Sequence, residues 1–387
     1  MSFKKKKVEE IFFSFSAFNQ VVLCILASAI VVQFIYYLLI YIRVPLYIPE
    51  KRKYAETKEP VSVVICARNE AENLANHLPL IMEQDYPDFE VVAVNDCSDD
   101  ESQHVLEKLQ EKYPRLKTTL IKHDEKFTHG KKLALTMGIK AASNEWLLLT
   151  DADCQPESEQ WLSTMQRNFT DSNNIVLGYG GFNREKGFLN KLIRFDAFFI
   201  ALQYFSFALI KSPYMGVGRN LAYRKSLFMK NKGFASHASI LSGDDDLFIN
   251  EVAKGKSTGV EFSADAHTRS IPKNKFKLWT RQKKRHFSTA SHYKFGHKFL
   301  LGAEMFSRFL FYVSIILLVV NPDTWIIGLS AFTLRLIVQL LVFNGAMNKF
   351  KEKKLLLFSV LFDMILPLIS IFLYLVHASN SKHYRWK

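Results

Sequence analysis

The stretch Val61-Ser62-Val63-Val64-Ile65-Cys66-Ala67-Arg68-Asn69-Glu70 decides the fold. Its first seven residues are mostly apolar, four of them are β-branched, and three polar residues follow without a break. A short apolar run that ends in polar residues is typical of a strand buried inside a parallel sheet. The stretch therefore predicts a strand from Val61 to Ala67 whose carboxyl end carries polar side chains.

Three more runs rich in strand-forming residues follow at intervals of about thirty residues, at Glu90–Asn95, Thr118–Ile121 and Trp146–Thr150, with helical patterns between them. This spacing is typical of βαβ units, so we predict an α/β domain of Rossmann-like type with a mainly parallel sheet.

Polar clusters follow three of the four predicted strands: Arg68-Asn69-Glu70, Asp96-Cys97-Ser98-Asp99-Asp100 and Asp151-Ala152-Asp153. A single exposed acidic turn carries little meaning. Ligands of parallel sheets bind outside the carboxyl ends of the strands, however, so three clusters at that edge predict a binding site.

Long apolar segments flank this domain. No charged residue occurs from Ile11 to Ile42, and further apolar runs cover residues 299–320, 325–344 and 355–377. A helix crosses a hydrocarbon layer with about 20 residues, so four spans are predicted and a wholly soluble protein is excluded. The uncharged run Ala197–Ile210 has only 14 residues, which predicts either buried core or a helix along the membrane interface.

Arg335 and Asp363 interrupt the last two apolar runs. An isolated charge inside a membrane is costly and usually finds a partner. Antiparallel spans would bring these two residues to a similar depth, so we predict that they form a structural ion pair.

The net charge is +14, from 51 Lys and Arg against 37 Asp and Glu, and much of the excess lies in one place. Ten Lys or Arg residues and no carboxylate occur from Ala266 to Ala303. Phosphate groups or an anionic lipid surface suit such a stretch. No nucleic-acid motif accompanies it, so no nucleic-acid partner is expected. The four cysteines are widely spaced, which is typical of reduced thiols in a domain facing the cytoplasm.

Two acidic clusters are candidates for chemistry. Asp151 and Asp153 can place two carboxylates near one hard cation such as Mg²⁺, although a solvated turn has the same pattern. Asp244, Asp245 and Asp246 precede an apolar segment, and their mutual repulsion should raise at least one pKa unless a cation compensates. Such a carboxylate suits a general base, whereas the alternative is a helix N-terminus that favours acidic residues.

Three further positions each allow two interpretations. Asp96 either binds a base or ribose at the sheet edge or caps the next helix. Lys131 either reaches a phosphate or simply begins a helix. Gln282 and Arg285 share a helix face that either meets an anionic leaving group or a sugar, or lies on anionic headgroups.

Taken with their order and spacing, these residues resemble membrane-bound family 2 glycosyltransferases, which include cellulose, chitin and hyaluronan synthases and ceramide glucosyltransferase. The resemblance covers residues 60–290 and continues into the flanking spans. It is carried by the stretch from Val61 to Glu70, the strand ending in Asp96, Asp151-Ala152-Asp153, Gly243-Asp244-Asp245, and Gln282 with Arg285. In the synthases a Trp usually follows that Arg, whereas this chain has His286. Acceptor detail and processive synthesis therefore do not carry over.

The resemblance implies a GT-A fold, a nucleotide-diphosphate sugar donor (a UDP-sugar is expected), Mg²⁺ or Mn²⁺, and inversion at the anomeric carbon. It assigns a hexosyl or N-acetylhexosaminyl transfer with Asp245 as catalytic base. The residues implied in donor binding are Ala67, Arg68, Glu70, Asp96, Lys131, Asp151, Asp153, Asp244, Gln282 and Arg285. Of these, Asp153 and Asp151 are implied as the metal ligands, Asp153 foremost.

The sequence thus predicts an anchor at residues 1–45, a cytoplasmic catalytic domain with interfacial helices at 46–298, and three spanning helices at 299–387, in the cell (inner) membrane. The expected acceptor is a lipid or a growing glycan, with membrane lipids as further partners. Four spans are few for a polysaccharide channel, so a polymer product would require a homo-oligomer or an export partner. The alternatives are a non-catalytic nucleotide-sugar-binding scaffold or regulator, and a lipid-surface adaptor.

Overall fold

The structure is a computed structural model that describes residues 12–49, 54–55, 57–123, 130–240 and 242–379, with only the backbone for residues 374–379. Residues 1–11 and 380–387, which belong to the predicted anchor and C-terminal domain, lie outside this range. Ile11, where the first apolar segment begins, is one of these residues.

The strands are short and mostly buried. In chain order they are β1 (Val61–Ala67), β2 (Phe89–Asp96), β3 (Leu116–Ile121), β4 (Trp146–Asp151), β5 (Cys154–Pro156), β6 (Ile175–Gly178), β7 (Gly180–Phe182), β8 (Leu221–Arg224), β9 (Thr258–Glu261) and β10 (Thr268–Ser270).

The helices surround the sheet and extend from it. In chain order they are α1 (Ala17–Ile35), α2 (Ala71–Met82), α3 (Ser102–Lys112), α4 (Lys131–Ala141), α5 (Trp161–Gln166), α6 (Phe188–Leu209), α7 (Lys225–Lys230), α8 (Asp246–Val252), α9 (Phe276–Ala290), α10 (Phe295–Val320), α11 (Trp325–Lys349) and α12 (Leu356–Ser379). A π-helical turn and a 3₁₀ turn continue α1 to Arg43.

Within the described chain, seven strands form one sheet in the order β3-β2-β1-β4-β8-β6-β9, and β5-β10-β7 form a second. In the large sheet β8 alone runs antiparallel to its neighbours, so the predicted mainly parallel α/β fold is confirmed. Because β8 is reversed, the segment before it lies at the same edge as the carboxyl ends of β1, β2 and β4. That edge carries the three predicted polar clusters.

Both faces of the large sheet are covered, which explains why its strands are almost continuously apolar. Val63 of β1 packs into a core with α2 and α5. Its neighbour Val64 faces the other core, which also contains Phe198 of α6, Tyr37 after α1, and Phe343 of α11. The apolar segments and the α/β domain therefore share one continuous core.

Among the residues that the structure describes, five helices are long and apolar enough to span a membrane: Ala17–Arg43, Phe188–Leu209, Phe295–Val320, Trp325–Lys349 and Leu356–Leu373. Four of them match the predicted spans. The second, α6, contains the run that was predicted to be core or interfacial, and 78% of its most apolar window is buried inside the protein. Phe198 and Phe205 on it are fully buried, which favours the core interpretation.

The predicted pair between Arg335 and Asp363 is confirmed, with Arg335 Nη2 2.9 Å from Asp363 Oδ2. Asp363 also accepts hydrogen bonds from Arg308 Nη1 at 3.1 Å and from Tyr312 Oη at 2.6 Å. Arg335 in turn donates to Gln33 Oε1 of α1 at 2.8 Å. One buried carboxylate thus joins α10, α11 and α12, and Arg335 adds α1.

The turn between α11 and α12 is attached to the α/β domain. Glu352, which is 5% exposed, accepts hydrogen bonds from Tyr179 Oη at 2.9 Å, from Arg194 Nε at 3.0 Å and from Arg269. These partners lie between β6 and β7, on α6 and on β10. The basic loop Lys349–Lys354 therefore lies on the same side of the spanning helices as the α/β domain.

Asp363→Asn should destabilise the protein by about 3 kcal/mol, because it leaves two buried guanidinium groups without their shared carboxylate. The double variant Asp363→Asn with Arg335→Gln should lose less, because Arg308 keeps Glu304 as a partner. Thermal unfolding in detergent measures both. The exposed Asp323 in the α10–α11 turn gives a control, Asp323→Asn, that should change nothing. Equal losses in the single and double variants would contradict this account.

Candidate active site

The loops after β1 and β2 are fastened to each other. The Asn69 N–H donates to Ser98 Oγ at 2.9 Å, and the Asp99 N–H donates to Asn69 Oδ1 at 2.8 Å. Asn69 and Cys97 adopt positive φ angles of 55° and 52°, which turn the chain sharply at the end of each strand. These turns hold Arg68, Glu70 and Asp96 side by side at the sheet edge.

Asp96 is the last residue of β2 and is fully buried. The first N–H of α3 is bonded by Asp100 Oδ1 at 3.0 Å, so the capping interpretation applies to Asp100 rather than to Asp96. The neighbouring Asn95 donates to Gln103 Oε1 at 2.9 Å and accepts from the Ser98 N–H at 3.2 Å. Asn95 therefore holds the loop after β2 in place. Asp96 lies buried at the end of that strand.

Lys131 joins two acidic segments that are far apart in the chain. It is the first residue of α4, and its Nζ lies 2.8 Å from Asp151 Oδ1 and 2.9 Å from Asp244 Oδ2. Burial alone would lower the pKa of Lys131, but Asp151, Asp244 and Asp245 raise it well above its ordinary value. Lys131 therefore begins a helix and also brings a positive charge into the site, and its contact with a phosphate stays a prediction.

Asp151, Asp153 and Cys154 each have one ligand atom within 4.8 Å of the others. Burial raises the pKa of the Cys154 thiol well above its ordinary value, and the thiol donates to Asp153 Oδ1 at 3.5 Å. Burial, and then the nearby Asp151, raise the pKa of Asp153, so a cation would relieve an unfavourable negative charge there. Two carboxylates without a thiolate fit a hard ion such as Mg²⁺ or Mn²⁺.

The three adjacent aspartates have different surroundings. Asp245 precedes α8, and its Oδ2 accepts from the Gly218 N–H at 2.8 Å while its Oδ1 accepts from the Asp246 N–H at 2.8 Å. Asp246 accepts hydrogen bonds from Tyr293 Oη at 2.7 Å and from Thr289 Oγ1. Both the helix start and the predicted crowding of carboxylates are therefore present.

Their pKa values separate as the repulsion argument predicts. Burial alone would raise the pKa of Asp244, but Lys131 outweighs it and lowers that pKa. Burial, followed by Asp244 and Asp246, raises the pKa of Asp245 to about 7. Burial also raises the pKa of Asp246. One carboxylate of the three is thus suited to accept a proton near neutral pH.

Two cavities meet at Asp245. The smaller one, of about 60 Å³, is bordered by Lys131, Asp151, Asp244, Asp245, Gln282 and Arg285 together with Val217, Arg219, Ser242 and His286. The larger one, of about 520 Å³, also includes Asp245, Gln282 and His286, and it extends between α6, α9, α10 and α12. The predicted base and the predicted Gln282–Arg285 face therefore converge.

The other predicted donor residues lie beside the smaller cavity rather than on its wall. Ala67, Arg68, Glu70 and Asp96 are at the ends of β1 and β2. Strand β2 is two positions from β4 in the sheet, which corresponds to about 10 Å. Asp153 is next to Asp151 but does not border the cavity. All the predicted residues thus occupy one edge, in two adjoining groups.

Two residues next to Asp245 and Arg285 were not assigned a role from the sequence. Gly218 donates its N–H to Asp245, and a Cβ there would lie 3.4 Å from Lys131 Nζ and 3.5 Å from Asp245 Oδ2. His286 borders both cavities. Desolvation by the surrounding protein, followed by the nearby charges of Arg285 and Lys283, lowers the pKa of His286 to about 3. In the sequence, the segment Gly216–Asn220 with its two glycines is the local signal for Gly218. For His286 the signal is that it stands where the synthases usually have Trp.

The chain is similar to known glycosyltransferases. Residues 62–231 match the family model Glycosyl transferase family 2. The Probable glycosyltransferase YdaM of Bacillus subtilis (strain 168) is 24% identical over 384 residues, which cover 88% of this chain and 88% of that protein. The Beta-monoglucosyldiacylglycerol synthase of Trichormus variabilis is 30% identical over 104 residues, 26% of this chain but only 22% of that protein.

Among solved structures, the mannosyltransferase PcManGT from Pyrobaculum calidifontis in complex with GDP-Man and Mn²⁺ has a TM-score of 0.57 at 17% identity, covering 87% of this chain and 99% of that one. This likeness concerns the fold. The matched family segment ends before Asp245, Gln282 and Arg285, so the argument for these three residues rests on their geometry.

Asp245→Asn should stabilise the protein near pH 8 and change little near pH 4. The folded-state pKa of about 7 lies above the ~3.9 of an unfolded aspartate, so ionisation of Asp245 increasingly opposes folding from about pH 4 to about pH 7. Thermal unfolding midpoints in detergent with EDTA across this range measure the effect.

Asp244→Asn is the matched control with the opposite sign. Lys131 lowers the pKa of Asp244, so this carboxylate stabilises the fold at neutral pH, and its contribution is lost as the pH falls through the folded-state pKa. A gain in Asp245→Asn that did not vary with pH would count against the raised pKa.

Proposed function

We propose, from the match of residues 62–231 to the family 2 glycosyltransferase model, that the chain transfers a sugar from a nucleotide-diphosphate donor to an acceptor in the larger cavity, with inversion at the anomeric carbon. The observation that carries the proposal is the position of Asp245 at the junction of a small charged cavity and a large, mostly apolar one. The donor diphosphate would occupy the first and the acceptor hydroxyl would reach Asp245 from the second.

The donor would lie along the sheet edge. Its nucleoside would contact Ala67, Arg68, Glu70 and Asp96, and a UDP-sugar remains the expected donor. Its diphosphate would meet the basic side of the small cavity. There the buried Nε of Arg285 has no hydrogen-bond partner among the described residues, and such an atom favours an anionic ligand.

Four other residues would support the same end of the donor. Lys131 would hold negative charge near Asp151 and Asp244, and Gln282 would offer an amide from the same helix face as Arg285. Asp153 and Asp151 would hold Mg²⁺ or Mn²⁺, which supplies charge neutralisation for the departing diphosphate. The oxygen-only donor set described above supports this assignment.

Asp245 would act as the base. The acceptor oxygen forms a bond to the anomeric carbon, the bond from that carbon to the phosphate oxygen breaks, and the acceptor proton passes to Asp245. The Gly218 N–H keeps one carboxylate oxygen fixed, and a pKa of about 7 suits proton transfer near neutral pH. A single displacement from the face opposite the leaving group inverts the centre.

The membrane helices supply the setting. The described part of the chain has five helices of spanning length, and from these we infer a membrane protein. Nucleotide sugars are cytoplasmic, so we assign the catalytic domain to the cytoplasmic face of the cell membrane. The basic loop Lys349–Lys354 lies on the domain side, in agreement with the positive-inside rule. The acceptor would then be a lipid or a growing glycan at that face.

The full chain in lipid nanodiscs should release a nucleoside diphosphate from one member of a panel of nucleotide sugars supplied with Mn²⁺ or Mg²⁺. In Asp245→Asn the kcat should fall by about 10²- to 10⁴-fold, because general base catalysis contributes that much, while donor affinity stays within about twofold. Diphosphate release and donor binding are measured on the same preparation.

The exposed Asp265 gives a control, Asp265→Asn, that should keep full activity. If the wild-type chain binds a nucleotide sugar but releases no diphosphate with any acceptor or metal, the proposed transferase is wrong and the scaffold interpretation replaces it.

Asp153→Asn should weaken Mn²⁺-dependent binding of a nucleoside diphosphate by about tenfold or more, because loss of even an indirect metal partner costs 10- to 100-fold. Titration calorimetry with and without Mn²⁺ measures this, with Asp88→Asn, an exposed site at the other end of β2, as the control. Unchanged Mn²⁺ dependence in Asp153→Asn would exclude Asp153 as a ligand.

A further inference from the structure

The larger cavity extends into the membrane segment of the protein. Its wall residues on α10 run from Lys298 to Arg308, and it also reaches Leu366 and Ser370 of α12. Ten helical residues correspond to about 15 Å, which is half of a hydrocarbon core of about 30 Å. A molecule that fills the cavity from Asp245 would therefore pass from the catalytic domain into the bilayer.

The wall of this cavity is mainly apolar. Its members include Phe199 and Ile200 of α6, Trp279 of α9, Leu301 and Met305 of α10, and Leu366 of α12. A hydroxyl-rich glycan would leave many of its polar groups without hydrogen-bond partners against such a wall, which is unfavourable. Acyl chains have no such cost.

The basic side chains of the described wall already have partners. Lys283 Nζ lies 2.8 Å from Asp196 Oδ1, and both side chains are nearly buried. Arg308 is paired with Glu304 and Asp363. Arg219 donates to the Gly180 carbonyl at 2.7 Å, and the exposed Lys298 donates to the Ser291 carbonyl at 3.2 Å. A lipid phosphate would have to displace these contacts.

The overall charge of the wall also disfavours a phosphate. Its four basic residues (Arg219, Lys283, Lys298, Arg308) are matched by four acidic ones (Asp196, Asp245, Asp246, Glu304). Two of the acids stand at the reacting end, and His286 beside them is neutral because its pKa is about 3. A phosphorylated acceptor would add negative charge next to Asp245 and Asp246, where it is already crowded.

On the basis of the proposed function, we propose that the acceptor is an uncharged membrane lipid with a free hydroxyl group, such as a diacylglycerol, bound with its hydroxyl at Asp245 and its chains along α10. The lipid hydroxyl oxygen bonds to the anomeric carbon, the nucleoside diphosphate leaves, and the proton goes to Asp245. A cavity of about 520 Å³ is of the size of ordinary small-molecule sites, and it holds a headgroup and the first part of the chains.

The test uses the full chain in phosphatidylcholine nanodiscs with Mn²⁺, a radiolabelled nucleotide sugar, and one acceptor at a time: dioleoylglycerol, a long-chain polyprenyl phosphate, or a short oligosaccharide. Nucleoside diphosphate release reports donor turnover. Lipid extraction followed by mild acid separates the products, because a glycosyl phosphate is cleaved by mild acid and a glycosyl diacylglycerol is not.

We expect an acid-stable lipid product with dioleoylglycerol, formed at least about tenfold faster than any other product. An acid-labile lipid product, a water-soluble product, or diphosphate release that is equal with and without every acceptor would overturn the lipid-hydroxyl assignment and leave the donor chemistry intact. Absence of diphosphate release under all conditions would overturn the proposed function and this inference together.

Two glycines of α10 give a matched pair of variants. Gly302 borders the cavity and Gly296 does not, and an added Cβ would have no atom within 4 Å at either position. Gly302→Phe should fill part of the cavity and raise the KM for dioleoylglycerol about tenfold without changing the donor KM. Gly296→Phe should change neither. Thermal unfolding is used to show that both variants are folded. An unchanged acceptor KM in folded Gly302→Phe would exclude the cavity as the lipid site.

Discussion

The ammonium group of Lys131 is the contact on which the site depends. It lies between a carboxylate at the end of β4 and another in the segment before α8, and without it Asp151 and Asp244 would repel each other across the sheet edge. Lys131 forms its ion pairs with those two groups. Burial and the adjacent carboxylates therefore still raise the pKa of the neighbouring Asp245. The same arrangement therefore closes the site and keeps one carboxylate basic enough to accept a proton near neutral pH.

The membrane helices are part of this site rather than a separate anchor. Asp363 joins α10, α11 and α12, while Glu352 fastens the turn between α11 and α12 to α6 and the smaller sheet. Helix α6 packs against both the spanning helices and the large sheet, and its aromatic residues belong to the same core as that sheet. Because these contacts fix α10 and α12 against the catalytic domain, the cavity that starts at Asp245 continues between helices of spanning length. The proposal of a membrane acceptor rests on that continuity.

Local patterns predicted the parts of the molecule that depend on neighbours in sequence. The observed β1 has the bounds expected from its apolar run, β2, β3 and β4 differ from prediction by one or two residues at an end, and the polar clusters after β1, β2 and β4 meet at one edge. The pairing of Arg335 with Asp363 followed from the cost of charge in an apolar run. Contacts between distant segments gave no such signal. Glu352 looks like an ordinary charge in sequence, Arg308 interrupts an apolar run without indicating its partner, and Gly218 acts through its backbone N–H. The role of α6 stayed open because length and composition alone fit core and membrane equally.

In the proposed site, acidic and basic groups from separate segments meet at one divalent ion and one diphosphate, with Asp245 on the acceptor side. An electron cryo-microscopy structure of Asp245→Asn in lipid nanodiscs, with Mn²⁺ and the intact donor, would show this arrangement. We expect metal density at Asp153, diphosphate density beside Arg285 and Lys131, and the sugar between them and residue 245. Donor density in another part of the fold, or metal density remote from Asp153 and Asp151, would contradict it.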